Sequence, residues 1–214
     1  MIRGTSRETG QAAPLYITAL TGLLFLALVF LVFGEADVKR NGAQSAADAA
    51  ALAAAQESRD ALRGDLIAHI LDSRYLRDVF GGDLAGTYNG CAQAYRFAAQ
   101  NGAGDVSCAM VFDGRWGFRV QVKSDKKMSV NLIPGIAGKR AAAQAVAVVE
   151  PRCVFQSNGR AEKPPAGAGE ADGEERPSPG KLVCEATRDW IIDPENLGLM
   201  PSMVDLFTVR LSED

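Results

Sequence analysis

The feature that most limits what this chain can become is a run of 24 residues, 11–34, without a single charged side chain: QAAPLYITALTGLLFLALVFLVFG. A helix of roughly 20 apolar residues, rising ~1.5 Å per residue, crosses a bilayer core of ~30 Å. Pro14 stands near the start of the run, where a missing backbone N–H costs little. The apolar region of a signal peptide is shorter, about 7–15 residues, and is followed by a small-residue cleavage site. Val-Phe-Gly-Glu-Ala at 32–36 is a poor one. A buried soluble helix would normally keep one polar stripe, and this run has none. The expectation is a retained transmembrane helix over 11–34 behind a leader of residues 1–10.

Positive charge near the ends sets orientation. The leader carries Arg3 and Arg7 against Glu8, whereas Lys39 and Arg40 beyond the span are offset by Glu35 and Asp37. That bias places the leader in the cytoplasm and everything after Gly34 outside, at the cell membrane. All four cysteines, Cys91, Cys108, Cys153 and Cys184, lie beyond the span, where an oxidising compartment would pair them. Four cysteines allow three pairings. Cys91–Cys108 and Cys153–Cys184 are favoured, the second closing a long loop at its base. A cytoplasmic chain would instead keep four thiols.

Helical character continues past the span. Residues 35–80 contain no proline, and nine of the thirteen residues 43–55 are alanine, the strongest helix former. Leu62, Leu66 and Ile70 follow at helical spacing, and Gly81-Gly82 reads as a stop. One helix, with bends allowed at Gly34 or Gly64, is expected to run from the membrane to residue 80. The small face Ala43, Ala46, Ala47, Ala50, Ala51, Ala54 lets another element approach closely. Two readings stay open: a contact inside the chain, or a packing face for other subunits of a helical assembly.

The segment 8–56 resembles the TadE/TadG-like family of Flp (tight adherence) pilus-assembly proteins, closest to the TadG-like N-terminal region. The resemblance is carried by Gly10-Gln11 before the span, the span itself, an acidic residue outside it (Glu35 or Asp37), and the stretch 41–55, NGAQSAADAAALAAA. It implies a non-enzymatic, single-pass, pilin-like membrane protein of the bacterial cell surface. Its partners would be the membrane and other pilus-assembly or pilin-like proteins, with homo-oligomers through the N-terminal helix. No cofactor or metal is implied. Gly10-Gln11 is the candidate processing site. A cut there would put Leu15 fifth, where processed family members carry glutamate, so processing is not expected.

The remainder, 83–214, reads as a small extracytoplasmic α+β domain. Asn89 to Ala99 is a short helix with Cys91, Ala94, Tyr95 and Ala98 on one face. Val106 to Phe112 and 116–123 form a hairpin about Asp113-Gly114, the second strand burying Trp116, Phe118, Val120 and Val122. A two-residue turn would set Trp116 beside Val111 and Phe118 beside Ala109, and the register stays open. Residues 130–138 read as a loop and 141–150 as a strand, with an alanine helix as the alternative. Residues 156–181 hold four prolines, five glycines and no Leu, Ile, Val, Met or aromatic residue. Such a segment cannot offset its ordering entropy and is expected to be a disordered loop. Strands at 181–186 and 207–211 flank an ordered loop that buries Trp190.

Other chemistry finds little footing. The formal net charge of −3 argues against nucleic acid. The single histidine, His69, excludes multi-histidine metal sites. No nucleotide-binding or hydrolase motif is present. Asp125-Lys126-Lys127 reads as a solvated turn, with a lipid head-group contact as the alternative. The fold class expected is α+β, a long N-terminal helix including a transmembrane span followed by a small, disulfide-braced antiparallel sheet, pilin-like in outline. Two functions remain: a component or assembly factor of a Flp-type pilus or related secretion apparatus, or a tethered extracellular binding domain.

Overall fold

The computed structural model describes residues 12–82, 88–111, 113–127, 138–158, 178–185 and 188–212. Helix α1, Ala12–Ala68, is 57 residues long, about 85 Å of unbroken helix through Gly34 and Gly64. Its two halves have opposite surroundings. Nothing in Ala12–Leu31 is buried, whereas Ala43 to Ile70 supply a continuous buried stripe.

The expected single helix to residue 80 is two helices. α1 ends at Ala68, and α2, Ser73–Gly81, starts afresh. Asp72 is the cause. Its carboxylate accepts from the backbone N–H of Arg74 at 2.9 Å and of Tyr75 at 3.2 Å, an N-cap that outcompetes continuation of α1. The new direction buries Leu76, Val79 and Phe80, and Phe80 stacks on Phe207 with ring centroids 5.3 Å apart. The stop at Gly81-Gly82 occurs where the glycines stand. Gly82 takes the left-handed conformation, φ 83°, and returns its N–H to the last carbonyls of α2.

A four-stranded antiparallel sheet in the order β1-β2-β3-β7 lies under α1: β1 Ala103–Met110, β2 Gly117–Ser124, β3 Ala142–Pro151 and β7 Phe207–Ser212. Phe118, Val120 and Val122 of β2 stand opposite Ala147, Ala145 and Ala143 of β3. One face of two strands therefore pairs large with small residues beneath an alanine helix. α3, Cys91–Gln100, fills the other side of α1 with Ala94 and Ala98. A second sheet, β4 Cys153–Ser157, β5 Gly180–Cys184 and β6 Trp190–Ile191, joins the same core through Phe155 and Leu182. A 3-10 turn at Leu197–Leu199 and the short α4, Met203–Leu206, lead into β7. The architecture is α+β.

Three local readings differ from the sequence expectation. The first hairpin pairs Met110 with Phe118 and Ala109 with Arg119, one residue off the expected register. The turn is longer: Asp113 accepts from Arg115 N–H and holds its guanidinium at 2.6 Å, and the Trp116 side chain turns to α1 while its carbonyl still accepts from Val149 N–H of β3. Residues 156–157 and 180–181, expected in a disordered loop, are paired strand, with Ser157 opposite Gly180; residues 159–177 lie outside the described set. Trp190 is only half-buried, and the side chain sealed beside it is Ile192. The expected loop 130–138 falls outside the described residues apart from its last position.

Packing of α1 on the sheet is close enough to leave no room for larger side chains. Ala46, Ala47, Ala50, Ala51 and Ala54 are fully buried. A Cβ on Gly90, at the N-terminus of α3, would meet the Ala54 carbonyl oxygen at 1.9 Å. Replacing Ala47→Leu therefore overpacks the helix–sheet contact. We expect a loss of about 1–3 kcal/mol in urea unfolding, against almost no change for Gln56→Leu on the exposed side of the same helix.

Candidate functional site at the helix exit from the head

The exposed segment Ala12–Leu31 has a mean hydropathy of 2.2 over 20 residues. Leu15, Phe25 and Phe30 are 72%, 65% and 76% exposed. A soluble protein rarely leaves more than a few hundred Å² of contiguous apolar surface in water, and this segment is apolar on every side. Lipid resolves the conflict, because a helix satisfies its own backbone in hydrocarbon. The hydroxyl of Thr18 donates to the Pro14 carbonyl at 3.0 Å and that of Thr21 to the Ile17 carbonyl at 2.7 Å. Both threonines inside the run are thus also internally paired. The segment has the length and composition to cross a membrane once.

The helix enters the head within one turn. Asp37, Val38, Arg40, Asn41 and Gly42 are exposed, and Ala43 is buried. Gln44 marks the junction. Its Nε2 donates to Asp48 at 2.8 Å and to the Gln144 carbonyl of β3 at 3.2 Å, while Gln121 Nε2 donates to Gln144 Oε1. A shallow cleft of 280 Å³ separates Val38, Lys39, Gly42 and Ala43 from the turns at Asn101-Gly102 and Ser124-Lys126.

The alanine face is not free. Ala43, Ala46, Ala47, Ala50, Ala51 and Ala54 are all covered by β2, β3 and α3 of the same chain. Of the two readings left open by the sequence, the internal contact is the one this structure shows. The reason is spacing. Alanines at three- and four-residue intervals make a groove that suits a sheet at short range as well as another helix. Any contact of the helix with other proteins falls to its exposed half.

A polar node inside the same interface escaped the sequence reading. Ser58 is fully buried. Its hydroxyl donates to the Tyr88 carbonyl at 2.6 Å and accepts from Trp116 Nε1 at 2.9 Å, tying α1 to β2 and to the segment before α3. Its position was a usable signal, since Ala47, Ala51, Ala54, Ser58, Leu62 and Leu66 follow one another at helical spacing. Trp116 also meets Phe207 edge-on at 5.7 Å.

Two disulfides brace the head, Cys91–Cys108 between α3 and β1, and Cys153–Cys184 across directly paired residues of β4 and β5. With sequence separations of 17 and 31, each restrains the unfolded chain by about 3–4 kcal/mol.

At the far end of the head, His69 is exposed. Its ring nitrogen meets the Asp65 carbonyl of its own helix at 3.0 Å and its ring lies 4.8 Å from Tyr75. The Tyr88 hydroxyl donates to the Asp65 carboxylate, which pushes the phenol up to about 12. These are contacts between neighbouring elements. Among the described residues, no three His, Cys, Asp or Glu side chains gather as a metal would require. The candidate processing pair Gly10-Gln11 lies outside the described residues.

Residues 10–57 match the Flp pilus-assembly TadE/G-like family. The match starts before the exposed apolar half of α1 and runs to the residue before Ser58, taking in the alanine segment that docks on the sheet. No curated protein and no solved structure matches the chain.

If residues 12–34 reside in hydrocarbon, a charge at their centre is costly. Leu24→Lys is expected to raise the free energy of membrane insertion by about 3 kcal/mol. An insertion assay should show a falling membrane-integrated fraction, while the head, which Leu24 does not touch, still forms both disulfides.

Proposed function

We propose that the chain is a non-enzymatic, single-pass, pilin-like component of a Flp-type pilus-assembly apparatus. In this reading residues 1–10 are a cytoplasmic leader, 11–34 cross the membrane, 35–80 carry the helical extension, and the disulfide-braced domain 83–214 stands outside. The observation that carries it is the extent of the family match, which covers the exposed apolar half of α1 together with the alanine segment on which the head is built. The weak excess of Arg3 and Arg7 in the leader supports the orientation. The two cystine bridges support it independently, because such bonds persist in oxidising compartments.

The mechanism is mechanical. The apolar helix holds the protein in the bilayer and offers its exposed length to the apolar helices of neighbouring subunits or assembly proteins. The head, rigidly continuous with that helix, presents its surface to partners outside. Because the alanine face is used internally, homo-oligomers or mixed assemblies would form through residues 12–42 or through the head surface.

Shearing surface filaments from cells and probing both the sheared and the membrane fractions tests this reading, together with piliation of a deletion strain. The account expects loss of surface pili on deletion, with the protein found in membranes, in sheared filaments, or in both. A deletion strain with normal pili would leave a tethered binding domain with no filament role and would contradict the proposal. Intact mass of the recovered protein reports on the leader: a chain starting at Gln11 means processing, and one retaining Met1 means none.

A further inference from the structure

We infer that the membrane-facing end of the head carries a basic rim that binds anionic phospholipid head groups, a second attachment beside the transmembrane helix. The inference rests on the reading that residues 12–34 cross a bilayer. The chain as a whole has a formal net charge of −3, so a concentration of cations at one end runs against its average.

The rim is set by strand direction. β2 runs antiparallel to α1, since Trp116 at its start bonds Ser58 while Ser124 at its end borders the cleft beside Lys39. β2 therefore finishes at the end where α1 leaves for the membrane, and β3 starts there. The turns are locked together. Ser124 N–H donates to the Ala141 carbonyl at 2.8 Å, Ser124 Oγ to the Lys126 carbonyl at 3.0 Å, and Asp125 N–H to the Gly102 carbonyl at 2.9 Å.

This folding brings Lys123, Lys126, Lys127, Lys139 and Arg140 to one edge, all exposed. On the helix itself, Lys39 lines the same cleft as Lys126, with Asp125 as the carboxylate between the turns. Asp105 is shared between Lys123 at 3.6 Å and Arg140 at 3.7 Å, so one carboxylate serves two cations. Its backbone, with φ 46° at a register shift between Gly104 and Ser107, turns it towards them. Among the described residues no carboxylate forms an ion pair with Lys126, Lys127 or Lys139.

Height decides the partner. From Gly34 to Lys39 the helix rises about 8 Å. The head-group layer on each side of the hydrocarbon is roughly 5–8 Å thick. Lys39, and Lys126 across the cleft from it, thus stand at the level of the phosphates, within a Debye length of about 8–10 Å. Basic clusters next to a span are attracted to anionic lipid, each cation adding to the attraction. The same geometry fixes the tilt of the head over the membrane, because α1 on one side and the rim on the other give two points of support.

The test uses the full chain in lipid nanodiscs, of phosphatidylcholine alone or with phosphatidylglycerol, labelled with an amine-reactive acylating reagent and read by peptide mass spectrometry. Lys126, Lys127 and Lys139 are expected to be labelled several-fold less in the anionic discs, with the difference lost at high salt. Lys181, on β5 in the second sheet, should be labelled equally in both. Lys126→Gln/Lys127→Gln should reduce the protection of Lys139 while leaving both disulfides formed. Equal labelling of the rim in the two discs, or protection shared by Lys181, would overturn the inference. A chain that enters neither disc would overturn the membrane reading first, and the rim with it.

Discussion

The contact between the second half of α1 and the face of β2 and β3 is the interaction on which the rest of the molecule depends. A single helix of 57 residues has an exposed, wholly apolar first half with the length and composition of a membrane span, and a second half that packs into a protein interior. The two requirements are met by side-chain size. Leu, Phe and Val on every side of Ala12–Leu31 suit hydrocarbon, whereas alanine beyond Ala43 lets a sheet approach near enough for Phe118, Val120 and Val122 to fill the space between. Leu62 and Leu66, both buried, complete the interface and contribute roughly 1.5–3 kcal/mol each.

Such an interface is non-directional except at its polar contacts, Gln44 with the Gln144 carbonyl at one end and Ser58 further along. A hydroxyl that accepts from Trp116 and donates to the Tyr88 carbonyl is satisfied in one register only. A slip of the helix along the sheet would leave two buried polar groups without partners, at about 1–3 kcal/mol each. The disulfides act differently, by limiting the unfolded chain. The first fastens α3 to β1, and the second fastens the β4–β5 ladder of the smaller sheet. The head is thereby held as a rigid extension of α1.

Much of this was legible from residues alone. The span announces itself by the absence of charge over 24 positions, the alanine stretch by its composition, and β2 by the strict alternation of Phe118, Val120 and Val122 with Arg119, Gln121 and Lys123. What was not legible depended on competition between local and distant contacts. Asp72 could have sat on the surface of one long helix, and only the burial of Leu76, Val79 and Phe80 in a new direction makes its capping bonds worthwhile. The longer hairpin turn goes with a side-chain bond from Trp116 to Ser58, a residue 58 positions earlier in the chain. The partner of the alanine face was ambiguous for the same reason: small side chains show that something comes close without saying what. The cleft at the helix exit is the extreme case, since Lys39 and Lys126 come together only because β2 runs antiparallel to α1.

The central claim is that α1 serves two solvents, with residues 12–34 needed for the membrane and not for the head. The most direct test compares carbonate extraction of membranes carrying the full chain with the behaviour of residues 35–214 exported behind a cleavable signal. The account predicts that the full chain stays in the carbonate-washed membrane, while the shortened chain is recovered soluble with both the Cys91–Cys108 and Cys153–Cys184 bridges. Release of the full chain by carbonate, or failure of the shortened chain to form those bridges, would contradict it.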